Sequence, residues 1–323
     1  MKIFIAGATG ALGIPLVQEL AASGHKVVGL TRSETKRPIL EKLGAGVAVA
    51  DALDDAALMQ AVREAAPDVV VHLLTAIPKT GPRRAQDMTL TNSLRIIGTA
   101  HLLRAAIAAG AKRIIAESMI LAYGYGDHGE ALLREEDALE PAKPVAGTQD
   151  TVEALRSLES QVLSAGRKQE IEAVALRFGL LYGPGVPATE SNLQMLRMRK
   201  IPVVSSGGGT LSWVHVSDAV SATVAAIERG RSSQVYNIVD DEPASYRDFL
   251  LSAAEITGAP RPRSLPLWFL RLVAPYGAAF LSTRLNVSNE KAKQELGWRL
   301  QFANVREGLK ALTAEARQEK KAA

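Results

Sequence analysis

Short apolar runs recur through the first half of the chain at Ile3–Ala6, Val27–Leu30, Val47–Ala50, Val69–Leu74, Ile114–Ala116 and Val174–Phe178. None of them alternates cleanly with polar residues, a pattern that predicts strands buried on both faces of a parallel sheet. Stretches of helical period lie between them. Leu12, Leu16, Val17 and Leu20 share one helical face that stops at Ser23-Gly24, and Leu58, Val62 and Ala65 form another before Pro67. The longest helices are expected over Asn92 to Ala109 and Val152 to Ala165. Strand and helix in regular alternation predict an α/β fold with a doubly wound parallel sheet.

The rhythm changes at Gly183-Pro184-Gly185-Val186-Pro187. Beyond it Ser217-Asp218 is expected to cap a helix running to Arg229, Val235–Val239 reads as a strand, and Ser245-Tyr246-Arg247-Asp248 has the form of a capping box opening a helix to Thr257. Residues 1–182 are therefore read as the core, and residues 183–323 as a smaller substrate-facing lobe of the same structural domain. The richest apolar stretch, Leu265 to Leu281, keeps helical spacing through Leu265, Phe269, Leu272, Tyr276 and Phe280. It either lines an apolar substrate pocket or packs on the lobe's own core.

Composition narrows the chemistry. The 323 residues include no cysteine, which excludes disulfides, thiolate metal sites and a Cys nucleophile. The formal net charge is +4, with the charges interspersed, so nothing favours a nucleic-acid partner. The Leu265–Leu281 stretch is broken by Pro266, Arg271 and Pro275 and falls short of a membrane span. A soluble, cytoplasmic protein is the expectation. No His, Asp and Glu residues have metal-ligand spacing, and neither a Gly-x-Ser-x-Gly elbow nor a P-loop occurs.

The strongest chemical signal is Gly7-Ala8-Thr9-Gly10-Ala11-Leu12-Gly13, placed between the first strand and the first helix. Glycine lets the backbone turn tightly against a diphosphate, and the N–H groups of the helix start, from Thr9 through Gly13, then face the phosphates. This is a Rossmann-type dinucleotide site. At the end of the second strand, where an NAD site usually carries Asp or Glu, the chain has Thr31-Arg32-Ser33, with Lys36 and Arg37 close behind. A guanidinium and hydroxyls suit the 2′-phosphate of NADP(H), which a carboxylate would repel, so NADPH is expected over NAD. Asp51, followed by Ala52, is placed to accept from the adenine amino group or else to cap the helix near Asp54. Leu73, Leu74 and Thr75 end the fourth strand where the dinucleotide would pass.

The glycine turn, Ala50-Asp51-Ala52, Val71-His72-Leu73, Leu181-Tyr182-Gly183-Pro184-Gly185, Trp213-Val214-His215-Val216-Ser217-Asp218 and Leu296-Gly297-Trp298 follow one another in a characteristic order. In this order the chain resembles the extended short-chain dehydrogenase/reductase (SDR) proteins, the NAD-dependent epimerase/dehydratase superfamily. The resemblance implies a seven-stranded sheet with NAD(P) at its switch point, substrate under the C-terminal lobe, and a homodimer built from the two long helices. It also implies a Tyr-x-x-x-Lys pair with an upstream Ser or Thr, and here the chain departs from the pattern. Counting from Glu159 places Thr151 at the Tyr position and Leu155 at the Lys position, and no Tyr-x-x-x-Lys occurs anywhere. Counting from Tyr123 places Met119 at the Ser/Thr position with Ser118 beside it, and Arg95 stands where the superfamily has Asn, with Asn92 one turn earlier.

Ser118, Tyr123 and Arg95 are the catalytic candidates: a hydroxyl and a phenol to stabilise or protonate an oxyanion, and a guanidinium to hold a carboxylate or enolate. Tyr125, Glu117 and Thr151 lie near enough to contribute, whereas His72 and His215, set inside apolar runs, are expected to be packed and hydrogen-bonded. The leading expectation is an NADP(H)-dependent oxidoreductase of atypical extended SDR type acting on a small, partly apolar carbonyl or enone. The alternatives are a redox-silent NADP(H) sensor and a non-redox isomerase or lyase.

Overall fold

Seven strands form one parallel sheet: β1 (Lys2–Ala6), β2 (Lys26–Thr31), β3 (Gly46–Val49), β4 (Val69–His72), β5 (Arg113–Met119), β6 (Glu172–Phe178) and β7 (Gln234–Ile238), ordered β7-β6-β5-β4-β1-β2-β3. The computed structural model describes residues 1–139, 145 and 147–322, with side chains through residue 313. Chain order reverses between β1 and β4, which opens a crevice at the C-terminal ends of these strands. The doubly wound Rossmann-type sheet expected from the apolar runs is therefore present. Ile3–Ala6 and Val69–Val71 are buried, as strands covered on both faces must be.

The helices that flank the first half of the sheet include α1 (Gly13–Ala22), α2 (Asp55–Ala65) and α3 (Thr99–Ala108). α1 buries Leu16, Val17 and Leu20 and stops at Ser23, with Gly24 at φ +80 beyond it. α2 takes its cap from Asp54, whose Oδ1 accepts the Ala57 N–H at 3.1 Å. Asp51 is therefore not that cap; its Oδ1 accepts from Leu53 N at 2.9 Å and shapes the preceding turn. The long helix expected from Asn92 is not uniform. An α-turn over Thr89–Ser93 widens into a π-helical turn over Leu94–Gly98 before α3 begins.

The remaining elements complete the same layers. α4 (Gln149–Arg167) packs on β5 and β6, while β7 and α5 (Val216–Arg229), from beyond residue 183, join the sheet and its covering layer. α5 is not capped by Ser217-Asp218. His215, which arrives on a strand leading straight into the helix, accepts the Ser217 N–H on Nδ1 at 3.3 Å. Asp218 instead ties down the C-terminal segment by accepting from Gln301 N at 2.7 Å and Phe302 N at 3.1 Å. The capping box at Ser245 and Asp248 is present as the sequence indicates.

The apolar stretch from Leu265 is two helices, not one. Leu267–Val273 ends at Ala274, and α6 (Pro275–Ser282) starts afresh with Pro275 in its first turn. The break separates two environments: Trp268 and Leu272 are 64% and 75% exposed, while Tyr276 is turned inward at 5%.

A buried ion pair fastens α4 to the sheet. Arg177 on β6 meets Glu159 through Nε–Oε1 at 2.8 Å and Nη2–Oε2 at 2.7 Å. The Ser118 hydroxyl donates to the same carboxylate at 2.6 Å. Removing one partner strands the other charge in the core. Glu159→Leu is expected to cost about 3–5 kcal/mol in urea denaturation, and Glu159→Leu combined with Arg177→Met to recover most of that loss.

Candidate functional site

The first part of the site is set by backbone contact. Gly7 has φ +95, and a Cβ there would lie 2.3 Å from the Leu73 carbonyl oxygen, so only glycine lets β1 turn this close to the end of β4. A Cβ on Gly13 would sit 2.2 Å from the Gly7 carbonyl oxygen, which fixes α1 against the turn. Gly10 closes the bend by donating to Gly7 O at 3.0 Å. α1 has no side-chain cap, and among the described residues the N–H groups of Ala11, Leu12 and Gly13 find no acceptor. They are left free at the positive end of the helix, as an anion site requires.

At the end of β2 the hydroxyls are occupied with the loop itself. Thr31 Oγ1 accepts from Ser33 N at 3.3 Å, and Ser33 Oγ lies 2.7 Å from Thr35 Oγ1. Arg37 is paired with Glu34 at 2.6 Å. Arg32 is exposed and makes no ion pair among the described residues. Lys36 reaches back to the glycine turn, its Nζ 3.4 Å from Thr9 Oγ1. Lys36 thus stands at the glycine turn and Arg32 follows directly on the end of β2, a donor set that fits a phosphorylated dinucleotide. Ala52 and Leu73 are buried, Leu74 is half-buried, and Asp51 and Thr75 are exposed along the same edge.

The catalytic candidates separate. Ser118 is buried and its hydroxyl serves Glu159. Tyr123 is buried beneath the Arg177 guanidinium, 4.6 Å from its ring centre, and donates to Arg134 O at 2.7 Å. Burial pushes its phenol up to about 12. Both residues are thus engaged by the framework around Glu159 and Arg177. Arg95 is placed differently. It lies in the π-helical turn, is 2% exposed, and directs Nη2 to Met119 Sδ at 3.2 Å, while Nη1 has no partner among the described residues.

Around Arg95 the structure gathers residues from elements far apart in sequence. Glu117 on β5, Tyr125 and Tyr276 all lie within electrostatic reach of its guanidinium. The Tyr125 and Tyr276 hydroxyls are 2.9 Å apart, and Tyr276 Oη is 3.4 Å from Thr151 Oγ1 at the start of α4. Burial, followed by the neighbouring Tyr276, holds the Tyr125 phenol well above its usual range. Burial pushes the Glu117 carboxyl up from 4.5 to about 7, against the pull of Arg95.

The histidines are structural. Burial lowers His72 to about 4, and the neutral ring bridges Thr99 Oγ1 at 2.8 Å and the Leu74 N–H at 3.2 Å. His215, lowered to about 4 by burial, has Nδ1 2.7 Å from Ser217 Oγ. Sequence reasoning counted Tyr276 only within the apolar stretch that could line a substrate pocket, not among the catalytic candidates. The one signal for Tyr276 is a polar-tipped aromatic following a proline in an otherwise apolar stretch.

Comparison with known proteins identifies the family of the chain. Residues 3–239 match the NAD dependent epimerase/dehydratase family. The chain is 38% identical over 312 residues to a 3-diazoavenalumate denitrifying reductase from a Streptomyces species, covering 96% of this chain and 99% of that one. It is 26% identical to the 2-alkyl-3-oxoalkanoate reductase of Stenotrophomonas maltophilia, covering 97% and 99% of the two chains. A UDP-glucose 4-epimerase from Thermotoga maritima, solved with UDP-glucose, shares the fold with a TM-score of 0.81 at 23% identity, covering 99% of this chain and 100% of the other.

The raised Glu117 carboxyl has a consequence for stability. Its folded value of about 7 lies above the ordinary 4.5, so the folded state holds the proton more tightly than the unfolded state does. Its contribution is fully present below 4.5 and is lost as pH rises towards 7. Wild type is therefore expected to lose about 2–3 kcal/mol relative to Glu117→Gln between about pH 5 and about pH 8, read as the change in urea midpoint at each pH.

Proposed function

Because this chain belongs to the NAD-dependent epimerase/dehydratase family, we propose that it is an NADP(H)-dependent reductase whose acceptor is a small, partly apolar carbonyl or enone compound. The cofactor preference rests on one observation above the rest: Arg32 at the end of β2 is an exposed guanidinium with no ion-pair partner among the described residues, beside a helix start whose N–H groups are free. In this reading the N–H groups of Ala11, Leu12 and Gly13 hold the diphosphate, and Arg32 and Lys36 hold the 2′-phosphate. Asp51 accepts from the adenine, and Leu73, Leu74 and Thr75 flank the chain of the dinucleotide. A bound nicotinamide supplies the hydride.

The nature of the acceptor is supported by the residues gathered around Arg95. Met119, Tyr125 and Tyr276 offer apolar surface with phenolic tips, and Arg95 offers a buried positive charge. A nucleotide sugar would call for more convergent polar groups. Two relatives are named as a 3-diazoavenalumate denitrifying reductase and a 2-alkyl-3-oxoalkanoate reductase. Both names point to an organic acceptor that is not a nucleotide sugar.

Two measurements test the proposal. Calorimetry is expected to give NADPH an affinity about tenfold or more above that of NADH, with Arg32→Asp reversing the order. NADPH oxidation is expected against a panel of aryl aldehydes, enones, 3-oxoalkanoates and aryl diazo compounds. Tighter binding of NADH by the wild type would overturn the cofactor assignment. NADPH binding without turnover on any member would mark a redox-silent binding protein instead.

A further inference from the structure

The sequence lacks the Tyr-x-x-x-Lys pair, with Thr151 and Leu155 standing at its two positions. At those positions the structure does not simply leave a gap. Tyr276, arriving on α6 from the C-terminal lobe, brings its hydroxyl to 3.4 Å from Thr151 Oγ1. Tyr125, arriving from the segment after β5, brings a second hydroxyl to 2.9 Å from the first. Arg95 stands one turn after Asn92 in the π-helical turn; it reaches the Sδ of Met119, the residue at the Ser/Thr position, and keeps Nη1 unpartnered at 2% exposure. A phenol, a second phenol and a cation are thus assembled around the missing residues' positions, each from a different element.

We propose that Tyr276 is the proton donor of this reductase, linked through Tyr125 and held in the field of Arg95, so that the lost tyrosine–lysine pair is rebuilt from the C-terminal lobe and the helix after β4. This rests on the reductase reading above. The step balances as follows. When hydride adds to the electrophilic carbon of a carbonyl acceptor, the C=O π pair moves to oxygen. The Tyr276 O–H bond breaks as an O–H bond forms on that oxygen. The phenolate left on Tyr276 is stabilised by the Tyr125 hydroxyl and the Arg95 charge, and solvent restores the proton before the next turnover.

The cluster's composition supports the assignment. A buried guanidinium is costly without negative charge beside it; Glu117 lies within its electrostatic reach in the resting fold, and the idle Nη1 is left to meet the phenolate or alkoxide that forms during turnover. The Tyr276 ring is anchored by its tilted packing on Tyr125, with centroids 6.0 Å apart, so the hydroxyl is pre-positioned. The break at Ala274 and Pro275 is what turns Tyr276 inward while Leu272 stays in solvent.

The test uses the full chain with NADPH and para-nitrobenzaldehyde as the carbonyl probe. Tyr276→Phe is expected to keep NADPH affinity within about threefold and to lower turnover about 10²–10⁴-fold, the range for losing a general acid. Thr151→Tyr with Leu155→Lys, added to Tyr276→Phe, is expected to restore at least about a tenth of wild-type turnover. Arg95→Lys should retain more activity than Arg95→Met. Wild-type turnover in Tyr276→Phe would overturn the proposal. If wild type turns over no member of the acceptor panel, the reductase reading fails, and the place of Tyr276 is judged by the emission of bound NADPH. A spectrum altered in Tyr276→Phe supports a phenol against the nicotinamide, and a superimposable one rejects it.

Discussion

The contact on which the rest depends is the one between Gly7 and the carbonyl of Leu73. β1 and β4 run parallel and pair as far as Ala6 and His72, and the chain can leave β1 against the Leu73 carbonyl only because Gly7 has no side chain and adopts φ +95. Gly13 repeats the constraint one turn later, against the Gly7 carbonyl. Together the two glycines fix where α1 begins, hence where its free N–H groups point, hence where an anion can be held. The end of β2 and the segment beyond β4 inherit their positions from this bend, and Arg32 and Leu73 with them.

The sheet was legible from sequence because its cause is local and repeated. Each buried strand is a continuous apolar run, and each helix shows its face within about two turns. The glycine bend was legible for the same reason: a strand, three glycines and a helix lie within a dozen residues. Boundaries followed less well where pairing, not composition, decides them. β5 continues through Glu117, Ser118 and Met119 because β6 continues beside it, with Ser118 opposite Arg177 and Met119 opposite Phe178.

The chemistry around Arg95 was legible only in part. Arg95 stood out because a guanidinium on a core-facing helix needs a reason. Ser118 and Tyr123 stood out because they occupy familiar positions, yet both are engaged by the framework around Glu159 and Arg177. Nothing local distinguishes Tyr123 from Tyr125, two residues later; the difference is that one meets Arg177 and the other meets Tyr276, more than a hundred residues away. A contact of that span leaves no periodicity behind. The cap of α5 failed for a related reason: Ser217 and Asp218 have the right chemistry, but the strand before them delivers His215 to the capping position first.

The wide turn at Leu94–Gly98 sets two parts of one helical run out of step. A π turn holds one residue more than an α turn, a rotation of about 100°. The wide turn can therefore aim Arg95 at Met119 on β5, while α3 after it still lays Leu102, Leu103 and Ala106 on the core. Thr99 marks the seam, donating to the Arg95 carbonyl at 2.6 Å. Such a seam tolerates a change of letter far better than a change of length. Deleting one residue there would restore regular winding, and the chain would then have to choose between a buried charge in the wrong place and an apolar face in water.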